Sequence, residues 1–235
     1  RTHSDGPQAC TDTLVLATCL WFVATGNGSF WRALLDGRAG TAPDTWGLVA
    51  AVAVTLTALH FAFMAPLANR WTVRPWLSLL IVVAAFSDYY MDRFTVYLDP
   101  SMMRNVLRTD VAEARELFAW RLIPHLLLFA VLPLLVLWRV RIVHRPWLRA
   151  AAVRVGVLLL AAAVLVGALL SVFQAFSSLM RNHKEMRYLI TPANYLWSLT
   201  AVATAQAKGA AKPRVAIGED AQPGPRIAAR SKPLM

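Results

Sequence analysis

The chain has 235 residues, of which 57% are hydrophobic and only 16% are charged. In an average soluble domain about a quarter of the residues are charged, so this composition indicates a protein whose solvent is the bilayer. The formal net charge of +11 would suggest nucleic-acid binding on a soluble fold, but the basic residues lie between long apolar runs. This arrangement predicts membrane orientation and no nucleic-acid partner.

Five apolar runs approach the length of about 20 residues that a membrane-spanning helix needs. Most of the tryptophans fall towards the ends of these runs, where amphipathic rings favour the water interface. Gly26, Asn27 and Gly28 interrupt the first run, which resumes without a cleavage site and is therefore interpreted as a retained span. The pattern predicts an all-α fold, a polytopic bundle of five transmembrane helices, approximately Thr13–Leu35, Trp46–Leu67, Pro75–Tyr90, Leu122–Trp138 and Leu148–Phe173.

Two short connections, 69–74 and 139–149, carry several arginines and no acidic residue. By the positive-inside rule both face the cytoplasm. The segments 36–44 and 92–121 and everything after Phe173 then face the periplasm of a bacterium. We therefore expect a multi-pass inner-membrane protein with a cytoplasmic N-terminus and a periplasmic C-terminus.

The periplasmic segments have helix signals of their own. Asp99 followed by Pro100 is typical of a helix start, and Asp110 with Glu113 resembles a capping box. These signals predict short amphipathic surface helices over about 99–118. The predicted domains are a transmembrane domain over 1–190, a bridging helix over 191–209 and a linker over 210–235 that is rich in Pro, Gly, Ala and charge.

The sequence contains no nucleophile, phosphate-binding or metal-ligand motif, so we predict no catalytic residue and no metal site in this chain. Cys10 and Cys19 lie near or within the first apolar run and are interpreted as packing residues.

Asn105, Thr109 and Glu113 are the most informative polar set. Their spacing of four and four would place an amide, a hydroxyl and a carboxylate on one face of a single helix, where they can accept hydrogen bonds from a lipid ammonium group. In the alternative interpretation Asp110 caps a second helix, Glu113 completes that cap and the common face is broken.

Two other classes of protein remain open from these residues alone. His60, Asp88 and Asp92 lie within or near spans and would suit a small transporter or channel subunit, although no internal repeat is visible. A membrane scaffold without catalytic activity is the other alternative.

Two separated blocks of the sequence resemble the lipid A phosphoethanolamine transferases, the family that includes the mobile colistin-resistance enzymes. The first block comprises Tyr90–Arg93 and Asn105–Ala114, and resembles the loop after the third span of that family. The second is Arg181–Ile190, followed by Pro192, Asn194 and Tyr195. Phe94 and Thr95 depart from the family, since many relatives have a Tyr-Gly pair there.

The resemblance implies an inner-membrane enzyme that moves phosphoethanolamine from phosphatidylethanolamine to lipid A and so confers polymyxin (colistin) resistance. It implies a periplasmic catalytic domain with a zinc-activated threonine, which is expected beyond this chain. It also implies that Asn105, Thr109 and Glu113 help to form the lipid-headgroup site. The chain has neither the Gly-Glu-Thr motif nor the zinc ligands of the family. We therefore expect it to anchor the enzyme and present lipid, with its own catalytic domain as partner, and to be inactive by itself.

Overall fold

A computed structural model describes residues 7–39, 42–143 and 146–210. The chain divides into two compact units, Arg1–Val202 and Ala203–Met235. The first contains nearly all of the described structure, and the described part of the second is the end of one helix. The predicted linker from 211 onwards, His3, His144 and Arg145 lie outside the described residues.

The described structure is almost entirely helical. Eleven α-helices follow one another along the chain: α1 Thr11–Thr25, α2 Gly28–Leu35, α3 Pro43–Met64, α4 Val73–Phe94, α5 Pro100–Arg108, α6 Val111–Glu116, α7 Leu122–Leu126, α8 Leu132–Arg139, α9 Trp147–Ser171, α10 Phe173–Asn182 and α11 Ala193–Ala210. A π-helical segment, Leu127–Val131, joins α7 to α8, and 3₁₀ turns occupy Ala65–Leu67 and Lys184–Leu189.

The described strands are two short ones, β1 (Gln8–Ala9) and β2 (Arg141–Ile142), which pair in parallel. Gln8 lies opposite Arg141 in this pairing. The pairing brings Gln8 and Ala9, which precede α1, to the connection that follows α8.

The first apolar run is bent at the interruption seen in the sequence. The α1 helix ends at Thr25 and α2 begins at Gly28, with an angle of 54° between them. Glycine costs about 1 kcal/mol in a helix interior relative to alanine, and a pair of glycines so close together favours a break. Asn27 lies inside this break and is buried.

Within the described residues, three helical segments are long and apolar enough to cross a membrane: Pro43–Leu67, Leu122–Arg139 and Trp147–Ser171. The bent pair α1–α2 makes a fourth if it is one span. None of the residues of α9 is buried, so this helix presents most of its apolar surface outwards, as a lipid-facing helix does. The α4 helix, which covers the predicted span Pro75–Tyr90, is not among these segments, and the count of five remains a prediction.

The α4 helix runs antiparallel to the α7–α8 segment along the whole length of that segment. Near its start the Arg74 guanidinium donates to the Val140 carbonyl oxygen at 2.8 Å, and Trp138 Nε1 donates to Ser78 Oγ at 3.1 Å. Three turns further on, the ring of His125 is hydrogen bonded through Nε2 to the carbonyl oxygen of Ala85 at 3.0 Å.

The α4 helix ends at Thr95, whose backbone is left-handed with φ 53° and ψ 40°. A β-branched residue rarely adopts this conformation, because its Cβ approaches the backbone too closely. Glycine meets no such clash, which gives a physical reason for the glycine expected at this position in many relatives.

Candidate lipid-headgroup site

The segment after α4 begins with a capped helix, as the sequence predicts. The Asp99 carboxylate accepts a hydrogen bond from the Met102 amide at 2.8 Å and further ones from the Ser101 hydroxyl. Partial desolvation acts to raise the pKa of Asp99, but the hydrogen bonds from Met102 and Ser101 outweigh it and hold the pKa below its usual value. Asp99 therefore fixes the start of α5, and Met103 is buried on the inner side of that helix.

The three predicted headgroup residues do not share one helix. Asn105 is in α5, and Thr109 ends that helix by donating from its amide and its hydroxyl to the Asn105 carbonyl oxygen at 2.9 and 3.0 Å. Asp110 then starts α6, because its Oδ1 accepts from the Glu113 amide at 2.8 Å. Of the two interpretations left open by the sequence, the structure agrees with the second, in which Asp110 caps a new helix and the common face over Asn105–Glu113 is broken.

The structure brings Thr109 to Asn105 but leaves Glu113 on the next helix. Among the described residues, no hydrogen bond joins the Glu113 carboxylate to either of the other two side chains. Asn105 and Glu113 are exposed, and Thr109 is half-buried. Two successive short helices thus present an amide and a carboxylate outwards, and the half-buried hydroxyl of Thr109 lies between them.

Apolar side chains on the same two helices and on the turn that follows are also exposed. Val106 and Leu107 are 48% and 55% exposed on α5, Val111 is 70% exposed on α6, and Trp120 is 81% exposed in the turn before α7. Exposed apolar residues beside exposed polar ones are typical of a surface that lies on a membrane or against a partner domain.

A polar cavity of about 490 Å³ opens where α2 meets the end of α4. Arg32 forms an ion pair with Asp92 there and also donates to Ser29 Oγ at 3.1 Å, and Asp36 and Tyr97 are among the other lining residues. Arg32 and Asp36 have no motif in the sequence to single them out. The one sequence feature that could have indicated them is an arginine within an apolar run, four residues before Asp36.

The two sequence blocks that carry the family resemblance meet in the structure. The side-chain amide of Asn194, in the second block, donates to the Tyr188 carbonyl oxygen at 2.9 Å and lies 3.4 Å from the sulfur atom of Met91, in the first block. Ser198 then donates to the Leu98 carbonyl oxygen at 2.6 Å. The beginning of α11 is thereby attached to the segment that leads into α5.

The three polar groups on which the transporter hypothesis depends form different contacts. Asp88 lies 3.8 Å from His125 Nε2, Asp92 pairs with Arg32, and His60 is buried in α3. Among the described residues, neither ring nitrogen of His60 has a hydrogen-bond partner. No hydrogen bond or ion pair in the described part of the chain links two of the three groups His60, Asp88 and Asp92 into a polar path.

No group of three or more His, Cys, Asp or Glu side chains in the described ranges could hold a metal ion.

Apolar helices of spanning length, a bent helix pair and short polar surface helices define an integral membrane protein of the helical-bundle class. Residues 56–207 match the family model described as phosphoethanolamine transferase EptA/EptB, so the chain belongs to that family.

Individual relatives agree with this assignment. Phosphatidylethanolamine transferase Mcr-1 of Escherichia coli is 27% identical over 207 residues, which are 87% of this chain and 38% of that protein. Phosphoethanolamine transferase EptA of Escherichia coli O157:H7 is 30% identical over 164 residues, which are 66% of this chain and 28% of that protein. The chain thus spans less than two fifths of the length of these curated relatives.

The fold also matches a solved structure, the integral membrane protein lipooligosaccharide phosphoethanolamine transferase A (EptA) from Neisseria meningitidis. The TM-score is 0.80 and the sequence identity 22%, with 89% of this chain and 39% of that chain covered. The chain corresponds to the N-terminal membrane domain of the family.

Proposed function

We propose that the chain anchors and presents lipid for a phosphoethanolamine transferase that moves phosphoethanolamine from phosphatidylethanolamine to lipid A and confers resistance to polymyxins. The observation that carries the proposal is the family match over residues 56–207, which includes both resemblance blocks. In this proposal zinc and the nucleophile belong to a periplasmic catalytic domain, in the part of such a transferase that this chain does not cover. The chain by itself then performs no transfer.

The membrane domain in this proposal has five spans. The bent pair α1–α2 and the three apolar segments account for four. The fifth is α4, because it runs antiparallel to α7–α8 from the Arg74–Val140 contact to the Ala85–His125 contact and so passes through the same membrane thickness.

The basic connections define the orientation. Arg74 contacts Val140, so the connections before α4 and after α8 lie at the same end of the bundle. The β1 strand pairs with β2 at that end, so the residues that lead into α1 lie there as well. By the positive-inside rule this end is cytoplasmic, and α5, α6 and α11 are then periplasmic. In this orientation α11 is the bridging helix towards the linker and the catalytic domain.

Asn105, Thr109 and Glu113 form the headgroup site in this proposal. The exposed Glu113 carboxylate accepts hydrogen bonds from the ethanolamine ammonium group, a charge-assisted interaction, while Asn105 and Thr109 contact the neighbouring polar atoms of the lipid. The exposed apolar residues of α5 and α6 rest against the membrane surface and keep the site at headgroup depth.

Substitution of Glu113 in the full-length enzyme tests the site. A charged hydrogen bond contributes about 1.5–3 kcal/mol, so Glu113→Ala is expected to lower phosphoethanolamine addition roughly tenfold or more. Mass spectrometry of lipid A from cells measures the addition, and immunoblotting of membranes checks that expression is equal. Glu116→Ala is the matched control, since it removes an exposed carboxylate from the same helix. Equal lipid A modification by the two variants would show that Glu113 is not part of the site.

A further inference from the structure

Two cavities follow one another along the helices α1 and α9. The first, of about 660 Å³, lies at the N-terminal ends of both helices. Apolar side chains supply most of its lining surface, but we call it the polar cavity because it also contains Thr11, Asp12 and Arg154 together with Arg70 from the connection before α4. The second, of about 650 Å³, is an apolar groove lined by Leu16 and Leu20 of α1, Val157 and Leu160 of α9 and Val54 of α3.

The helix geometry makes these two cavities adjacent. From Arg154 to Val157 the axial rise is about 4.5 Å, and from Asp12 to Leu16 it is about 6 Å. The apolar groove therefore begins one helical turn deeper than the polar cavity, on the same two helices. A cavity with charged side chains next to an apolar groove matches an amphiphile, which has a polar head and an apolar tail.

The polar cavity has an excess of positive charge. The Arg154 guanidinium donates to Asp12 Oδ1 at 3.1 and 3.2 Å and to Thr11 Oγ1 at 2.9 Å, so it joins α1 to α9 and neutralises Asp12. Arg70 lies over the ring of Trp71, with Cζ 4.6 Å from the ring centroid, and has no ion pair with an acidic residue of the described segments. The Arg70 charge is therefore available to an anion.

Two exposed tryptophans indicate how deep the polar cavity lies in the membrane. Trp71 and Trp147 both line it and are 75% and 77% exposed. Exposed tryptophan rings favour the headgroup level of a bilayer. The polar cavity then lies among the headgroups and the groove lies among the acyl chains.

We infer that the polar cavity and the apolar groove along α1 and α9 together bind one phospholipid with an anionic headgroup. The headgroup phosphate contacts Arg70 at the end of the bundle that carries the arginine-rich connections, and an acyl chain fills the groove. Basic pockets between helices at such an end are suited to anionic lipid. The inference depends on the two cavities alone and not on the proposed transfer reaction.

Native mass spectrometry of the intact protein, extracted from vesicles with equal amounts of phosphatidylglycerol and phosphatidylcholine, tests the inference. The unaltered protein is expected to retain one phosphatidylglycerol. Arg70→Ala, which changes an exposed side chain and leaves the core intact, should lower this retention about fivefold. Arg104→Ala is the matched control, because Arg104 is an exposed arginine on α5, and it should retain the lipid as the unaltered protein does.

A second variant separates a lipid from a simple anion. Ala161→Phe fills the apolar groove without changing any charge and is expected to lower the retention of phosphatidylglycerol as well. Thermal melting confirms that this variant is folded. The inference is overturned if Arg70→Ala retains the lipid like Arg104→Ala, if phosphatidylcholine is retained equally, or if excess inorganic phosphate alone displaces the lipid.

Discussion

The side chain of Asn27 binds the backbone of Thr191, 164 positions further along the chain, through two hydrogen bonds. Asn27 Nδ2 donates to the Thr191 carbonyl oxygen at 3.1 Å, and the Thr191 amide donates to Asn27 Oδ1 at 2.8 Å. The same Nδ2 also donates to the Phe22 carbonyl oxygen at 2.7 Å, at the end of α1. One buried amide thus connects the break in the first helix pair to the start of α11.

Replacement of Asn27 is expected to be strongly destabilising. Asn27→Ala leaves the amide and carbonyl of Thr191 buried without these partners, and we expect a loss of about 2–4 kcal/mol in the free energy of unfolding. Denaturant unfolding in detergent micelles measures this loss. Asn182→Ala, at an exposed asparagine, should change stability by less than about 0.5 kcal/mol. Equal stability of the two variants would contradict the role of Asn27.

Glycine at position 95 is expected to stabilise the protein. The left-handed backbone of Thr95 costs roughly 1–2 kcal/mol for a residue with a Cβ atom. Thr95→Gly removes this cost but increases the entropy of the unfolded chain, so the expected net gain in the free energy of unfolding is about 1 kcal/mol. The comparison is Thr95→Ala, which keeps the Cβ atom. If both variants unfold at the same denaturant concentration, the backbone at this position is not strained.

The local features of the fold were predictable from short stretches of sequence. Asp99 and Asp110 each precede a helix as N-caps, and the structure confirms both because a cap depends only on residues within the next turn. The break at Gly26 and Gly28 was visible as an interruption for the same reason. Its angle and the burial of Asn27 were not predictable, since they depend on contacts with Thr191.

The geometry of the candidate site was only partly predictable, and its three residues stay a prediction. Spacing alone would place Asn105 and Glu113 on one helix, but the capping signal at Asp110 pointed to a second helix, and the structure has that helix. The Arg32–Asp92 pair shows a second limit. Its two residues are 60 positions apart, and no sequence pattern specifies which acid an arginine on another helix will contact.

The contribution of the Asp99 cap to stability should decrease at acidic pH. Because its pKa is held below the usual carboxyl value, the folded state favours the ionised form. The contribution of this cap to stability is therefore complete above the usual value of about 3.9 and is lost as the pH falls through the lower folded-state pKa. Hydrogen exchange of the α5 amides, corrected for intrinsic rates, should show constant protection down to about pH 4 and a decline below it.

Asp99→Asn is the matched variant for that experiment. The amide oxygen of asparagine still caps the helix but does not titrate. Its protection should therefore stay nearly constant over the same acidic range. An identical decline in both proteins would assign the effect to other groups.

Cysteine labelling tests both the orientation and the crossing of α4. In a protein with Cys10 and Cys19 replaced by serine, Trp120→Cys and Trp71→Cys each place a thiol at a highly exposed site. A membrane-impermeant maleimide applied to bacterial spheroplasts should label position 120 directly and position 71 only after the membrane is permeabilised. Labelling of both from the outside would mean that α4 does not cross the bilayer, and the reverse pattern would invert the proposed orientation.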